Sequence, residues 1–266
     1  MGAREVRLDL GWDLLEQGEF DGAIEVASAL LAEEPEDVEA SFLSASARFE
    51  SGDLEAAHSE LRSLLAREPD DVPCRLTLAA LLYETCRFEE GLLEIERVLP
   101  QDVRNPYAHH LRGLLLDMTG RHADADASFR QAADLGPDRY RAPDRIDRSA
   151  FEAIVEEALA SIPAEFRQRI GNVPILLEQV PSAALLATLE EPSPDLLGLF
   201  VGTPLTQKTT QDLAGPPEAI YLFQRSLERQ CETVEELVEE IRVTLLHEIG
   251  HFLGMEEEDL DEAGYA

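Results

Sequence analysis

The chain has 266 residues, 44% of them hydrophobic, enough for one large domain or two ordinary ones and too many for a mainly disordered chain. Its 55 acidic and 22 basic residues give a formal charge of −33, a field that repels phosphate backbones and anionic membrane surfaces and argues against nucleic acid as a partner. No apolar run is long enough to span a bilayer, and the opening MGAREVRLDLGWDLLEQ mixes charges into a helical pattern, so no signal peptide or membrane segment is expected and the location reads as cytoplasmic.

The first part of the chain repeats itself. EQGEFDGAIEVASALLAEEPEDVEA from Glu16, ESGDLEAAHSELRSLLAREPDD from Glu50, ETCRFEEGLLEIERVLP from Glu84 and MTGRHADADASFRQAADLGPD from Met118 are offset by 34 residues each time. Gly18, Gly52 and Gly120 share one position, with Cys86 in the third copy; Ala23, Ala57, Gly91 and Ala125 share another. Pro35, Pro69 and Pro137 close three units, whereas the third departs, with Pro106 shifted. Each unit reads as two short amphipathic helices with a glycine turn between them, small residues where they cross, and a proline that ends the second. Such units bury their apolar faces only by stacking on neighbours. Over residues 4–139 the pattern resembles the tetratricopeptide repeat. That resemblance implies an all-α solenoid whose concave face binds extended peptides or other proteins.

His58, His109, His110 and His122 lie in this part without metal-ligand spacing and read as surface or packing residues. Cys74, Cys86 and Cys231 lack paired spacing and read as reduced thiols. The stretch DLGPDRYRAPDRIDRSAF breaks the repeat. Its Arg139, Arg141, Arg145 and Arg148 read as a solvated linker, with binding to an acidic surface of the second domain as the alternative. The expected organisation is a repeat domain at 1–140, a linker at 141–149 and a second domain at 150–266.

In the second part, FEAIVEEALASIPAEFRQRI predicts one or two helices, divided at Pro163. VPILLEQV from Val173, LLGLFVG from Leu196 and AIYLFQ from Ala219 predict the strands of a small sheet. Between the last two, TPLTQKTTQDLAGPP reads as a surface loop near the mouth of a site. Thr233, with Glu236 three residues on, predicts a capping box opening a long helix, and Gly254 predicts its end.

That helix carries LLHEIGHFLG. Residues four apart on a helix share a face, so His247 and His251 can each turn a ring nitrogen to one metal ion, with Glu248 beside it. Two neutral imidazoles that hold zinc, and a carboxylate that takes a proton from zinc-activated water, are what metal-assisted hydrolysis needs. Glu257, three residues past Gly254, is the first choice of third ligand, with Glu258 and Asp259 as alternatives in the same acidic run. Gly250 strengthens the motif, because glycine costs about 1 kcal/mol inside a helix and propensity alone would not select it.

DLLGLFVGTPLT, AIYLFQRSLERQC and LLHEIGHFLGMEEEDLDEAGY resemble the minimal zincin-like metallopeptidase family of small bacterial domains, over residues 150–266. The resemblance implies an α+β fold with the HExxH helix packed on a small sheet, His247 and His251 as zinc ligands, Glu248 as general base and Glu257 as third ligand, where the family commonly has aspartate. An extended substrate is expected against the strand at Ala219 to Gln224. Tyr221, Arg225 and Tyr265 are the candidates for stabilising an oxyanion. The expected activity is that of a zinc metallopeptidase whose repeats recruit a protein substrate or regulator. The alternatives are a non-catalytic zinc-binding adaptor and a hydrolase of non-peptide bonds.

Overall fold

Helix caps at the 34-residue spacing organise the first half of the chain. Asp37, Asp71 and Asn105 each accept a hydrogen bond from the backbone N–H three residues on, at Ala40, Cys74 and Ala108. The computed structural model describes residues 2–171, 173–203, 218–255 and 260. The chain divides into two units, Met1–Tyr140 and Arg141–Ala266.

The first unit is a run of helix pairs: α1 (Ala3–Glu16) with α2 (Phe20–Glu33), α3 (Val38–Glu50) with α4 (Leu54–Arg67), α5 (Val72–Glu84) with α6 (Phe88–Val98), and α7 (Pro106–Met118) with α8 (His122–Leu135). This is the all-helical solenoid that the repeat predicts. The repeated small residues Ala23, Ala57 and Ala125 are fully buried where the helices cross. Gly18, Gly52 and Gly120 take φ between +76° and +83° in the turns, and Cys86 takes φ +57° at the same position. The departure of the third copy has a structural form, since α6 has 11 residues where α2, α4 and α8 have 14.

The four histidines of this unit have local roles. His58 lies 3.0 Å from Arg87 Nη1, His109 contacts the Val103 carbonyl, His110 packs on Phe129 and Tyr140, and His122 faces Asp117. Burial pushes the Cys74 thiol up to about 12 and that of Cys231 up to about 11, so neither is a thiolate at neutral pH.

The second unit opens with a segment of no regular structure, two of whose arginines bond within the unit. Arg145 Nη1 lies 2.9 Å from Glu228 Oε2, a carboxylate 1% exposed, and Arg141 donates to the Cys231 carbonyl. Gln224 Nε2 donates to the Ile146 carbonyl at 3.0 Å. The alternative reading of these arginines therefore holds for Arg141 and Arg145, whose partners lie within this unit.

Then follow α9 (Arg148–Ser161), α10 (Ala164–Ile170), β1 (Ile175–Glu178), α11 (Ala183–Leu186), β2 (Gly198–Val201), β3 (Ala219–Phe223), α12 (Gln224–Gln230) and α13 (Val234–Leu253). Proline divides α9 from α10 as expected, and the short α11 and α12 had no signal in the periodicity. The sheet order is β1-β3-β2, with β1 parallel and β2 antiparallel to β3. One sheet face, with Ile220 and Leu222 of β3, packs against Ile241, Leu245 and Ile249 of α13 and Phe151, Val155 and Ala158 of α9. Among the described residues no helix is long and apolar enough to cross a membrane.

The sheet order corrects one expectation. β3 is the central strand, hydrogen-bonded on both sides, so its backbone cannot take up an added peptide strand. Among the described residues the edges are β1 and β2.

Candidate metal centre

The site is built on α13, and both ends of that helix are fixed by local chemistry. At the start, Thr233 Oγ1 accepts from Glu236 N at 3.1 Å, while the Glu236 carboxylate takes the Glu232 N–H at 2.7 Å, one residue earlier than a regular capping box. At the end, Gly254 turns left-handed at φ +83°, with Gly254 N donating to the His251 carbonyl and Met255 N to that of Gly250. This pair of bonds is a Schellman closure.

Leu237, Ile241, Leu245, Ile249 and Phe252 form the buried stripe of α13. Glu240, Thr244, His247 and His251 form another, at i, i+4, i+7 and i+11. The Nε2 atoms of His247 and His251 approach to 2.9 Å, with the rings at 82° to each other. Two nitrogens this close, on rings that do not stack, can share one cation with ligand distances of about 2.0–2.1 Å. Imidazole nitrogens are ordinary zinc ligands, and among the described residues no third His, Cys, Asp or Glu joins the pair. Glu257, Glu258, Asp259 and Tyr265 lie outside the described residues, as do residues 204–217, where the sequence predicts a surface loop.

Gly250 has a packing reason. Leu260, fully buried, lies where a side chain on Gly250 would project. Leu260 is thereby seated on the helix within one turn of both histidines.

Glu248 is 6% exposed and turned to β2, where its Oε2 accepts from Phe200 N at 2.5 Å. Phe223 N donates to the Leu197 carbonyl, so in the antiparallel alternation the Phe200 N–H points away from β3, to the outer side of the strand. Two further contacts hold strand to helix. Phe200 meets Phe252 edge-on with centroids 5.5 Å apart, and a Cβ on Gly198 would lie 2.5 Å from Thr244 Cγ2 and 3.2 Å from Glu248 Cγ.

Gly198 and the Phe200 amide were not singled out from the sequence. The available signal was the glycine inside LLGLFVG, since glycine within a strand marks a close backbone approach.

A cleft of about 310 Å³ opens beside His247 and Glu248, bounded by Leu196, Leu197, Val243 and Thr244. The two oxyanion candidates among the described residues, Tyr221 and Arg225, do not line it. Tyr221 alternates with Ile220 and Leu222, so its side chain leaves the opposite face of the sheet from α13, where it stacks on Phe223 at 6.3 Å. Arg225 is 5% exposed within α12.

The family model described as "Zincin-like metallopeptidase" matches residues 170–265, and that described as "Tetratricopeptide repeat" matches 14–73 and 48–115. Similar solved structures include a thermophilic TPR protein of Thermus thermophilus, 23% identical, covering 63% of this chain and 90% of that one at a TM-score of 0.47. MamA 41-end from Desulfovibrio magneticus RS-1 is 17% identical, covering 61% and 86% at 0.47. No curated protein matches the chain significantly.

Proposed function

We propose that this chain, a tetratricopeptide-repeat domain followed by a zincin-like metallopeptidase domain, is a cytoplasmic zinc metallopeptidase in which the repeats recruit a protein substrate or regulator. The observation that carries the reading is the approach of His247 and His251 Nε2 to 2.9 Å, on the same helix as the buried carboxylate of Glu248. The proposed ligands are His247, His251 and Glu257, with Glu258 or Asp259 as the alternatives for the third. Bound zinc supplies a Lewis acid that polarises the attacked carbonyl and acidifies water at neutral pH.

The chain's own residues do the rest. Glu248 takes the proton of the attacking water as the new C–O bond forms, then delivers it to the departing amine nitrogen. The Phe200 N–H holds Glu248 Oε2, which fixes the orientation of the carboxylate before substrate arrives. β2, an edge strand among the described residues, is the proposed support for an extended peptide. Recruitment by the repeats raises the local concentration of a bound tail or loop without a tighter active site.

The test is digestion of a denatured protein mixture by the wild-type chain and by Glu248→Gln, with new termini read by mass spectrometry. Cleavage in the wild type that falls by about 10²–10⁴-fold in the variant is expected, the usual worth of a general base. Equal cleavage by both, or none by the wild type, would contradict the reading. Bound zinc with no cleavage would favour the adaptor.

A further inference from the structure

The cleft beside His247 carries a charge at its far end. Glu240 lines it seven residues before His247, which on a helix is about 10 Å along the axis. Between the two the cleft is lined mostly by apolar side chains, Leu196, Leu197 and Val243, with Thr244 on the helix. Of the other two carboxylates of the cleft, Asp195 is held by Arg229 at 2.9 Å and Glu248 by the Phe200 N–H, whereas Glu240 makes no ion pair among the described residues.

Resting on the peptidase reading above, we propose that this cleft is its specificity subsite and takes the lysine or arginine side chain of a residue flanking the cleaved bond. With the bond at the histidine pair, the adjoining side chain runs along the stripe towards Glu240. A lysine or arginine stem spans about 6 Å from Cα to its cationic head, so methylenes lie against the leucines and the charge meets Glu240. A glutamate side chain there would face Glu240 in a molecule of charge −33. A leucine would end short of the carboxylate and leave it unmatched.

The test is fluorescence anisotropy of labelled peptides that differ only in one residue, arginine, leucine or glutamate, on full-length Glu248→Gln supplied with zinc. The arginine peptide is expected to bind about fivefold tighter than the leucine peptide, the worth of one partly exposed ion pair, and that ratio is expected to fall to about one when Glu240→Gln is added. Glu240→Lys is expected to invert the order and favour the glutamate peptide, with circular dichroism establishing that each variant is folded. An arginine preference that survives Glu240→Gln, or no difference among the peptides, would overturn the subsite. Wild-type cleavage of the same peptides reports separately on the peptidase. Cleavage with leucine preferred would overturn the subsite and leave the peptidase standing. Arginine binding that depends on Glu240, with no peptide cleaved, would support the subsite and count against the peptidase.

Discussion

Cys86 sits at φ +57° where three other repeats use glycine, a backbone region that costs a side-chain-bearing residue about 1 kcal/mol or more. Cys86→Gly is expected to raise the stability of the repeat unit by about 1 kcal/mol, read as a higher urea midpoint at unchanged slope. Gly198 is constrained by close approach instead. Its missing Cβ leaves room for Thr244 and for Glu248 Cγ, so Gly198→Ala is expected to push the carboxylate off the Phe200 amide. The expected loss in kcat/KM is roughly tenfold to a hundredfold with zinc content unchanged, as for other small misplacements of a catalytic group. Wild-type kcat/KM in that variant would show that this approach does not position the base. His247, Glu248 and His251 were legible in the sequence because their geometry is written in one helix at a spacing of four. The Phe200 amide was not, because a backbone donor has no residue identity and lies 48 residues from its acceptor.

Between elements, the repeats were legible because each copy states the same turn, crossing and cap, and the stacking follows from them. Sheet order was not. Three strands of four or five residues carry too little pattern to say which is central, and β3 was expected to hold an extended substrate for its place before α13. Arg141 and Arg145 were misread because alternating Asp and Arg look solvated, while Glu228, the buried partner of Arg145, is 83 residues away. One link between elements makes stability depend on pH. Arg4 of α1 forms a two-pronged pair at 2.7 Å with Asp37, the cap of α3, and its guanidinium, with the Ala40 N–H, holds the Asp37 carboxyl below its ordinary 3.8. A folded value below the unfolded one gives stability that is complete above pH 3.8 and is lost as pH falls through the folded value. Asp37→Asn is therefore expected to lower the urea midpoint at pH 7, with the two proteins converging in acid. A constant gap down to pH 2 would contradict this role for the pair.

At the scale of the molecule, one chain joins a helical repeat domain to a zincin-like domain, and its 55 acidic residues give both a negative field. That field draws cationic segments from solution and is screened by salt. The proposed function gives recruitment and chemistry to different parts of the chain, and its chemistry depends on the histidine pair holding a metal. Elemental analysis of purified wild-type, His247→Ala, His251→Ala and Glu248→Gln proteins tests this most directly. About one zinc per chain is expected in the wild type and in Glu248→Gln, and little or none in either histidine variant, since each removes one of the ligands of a single ion. A wild-type protein without zinc, or zinc retained in full after either histidine is removed, would contradict it.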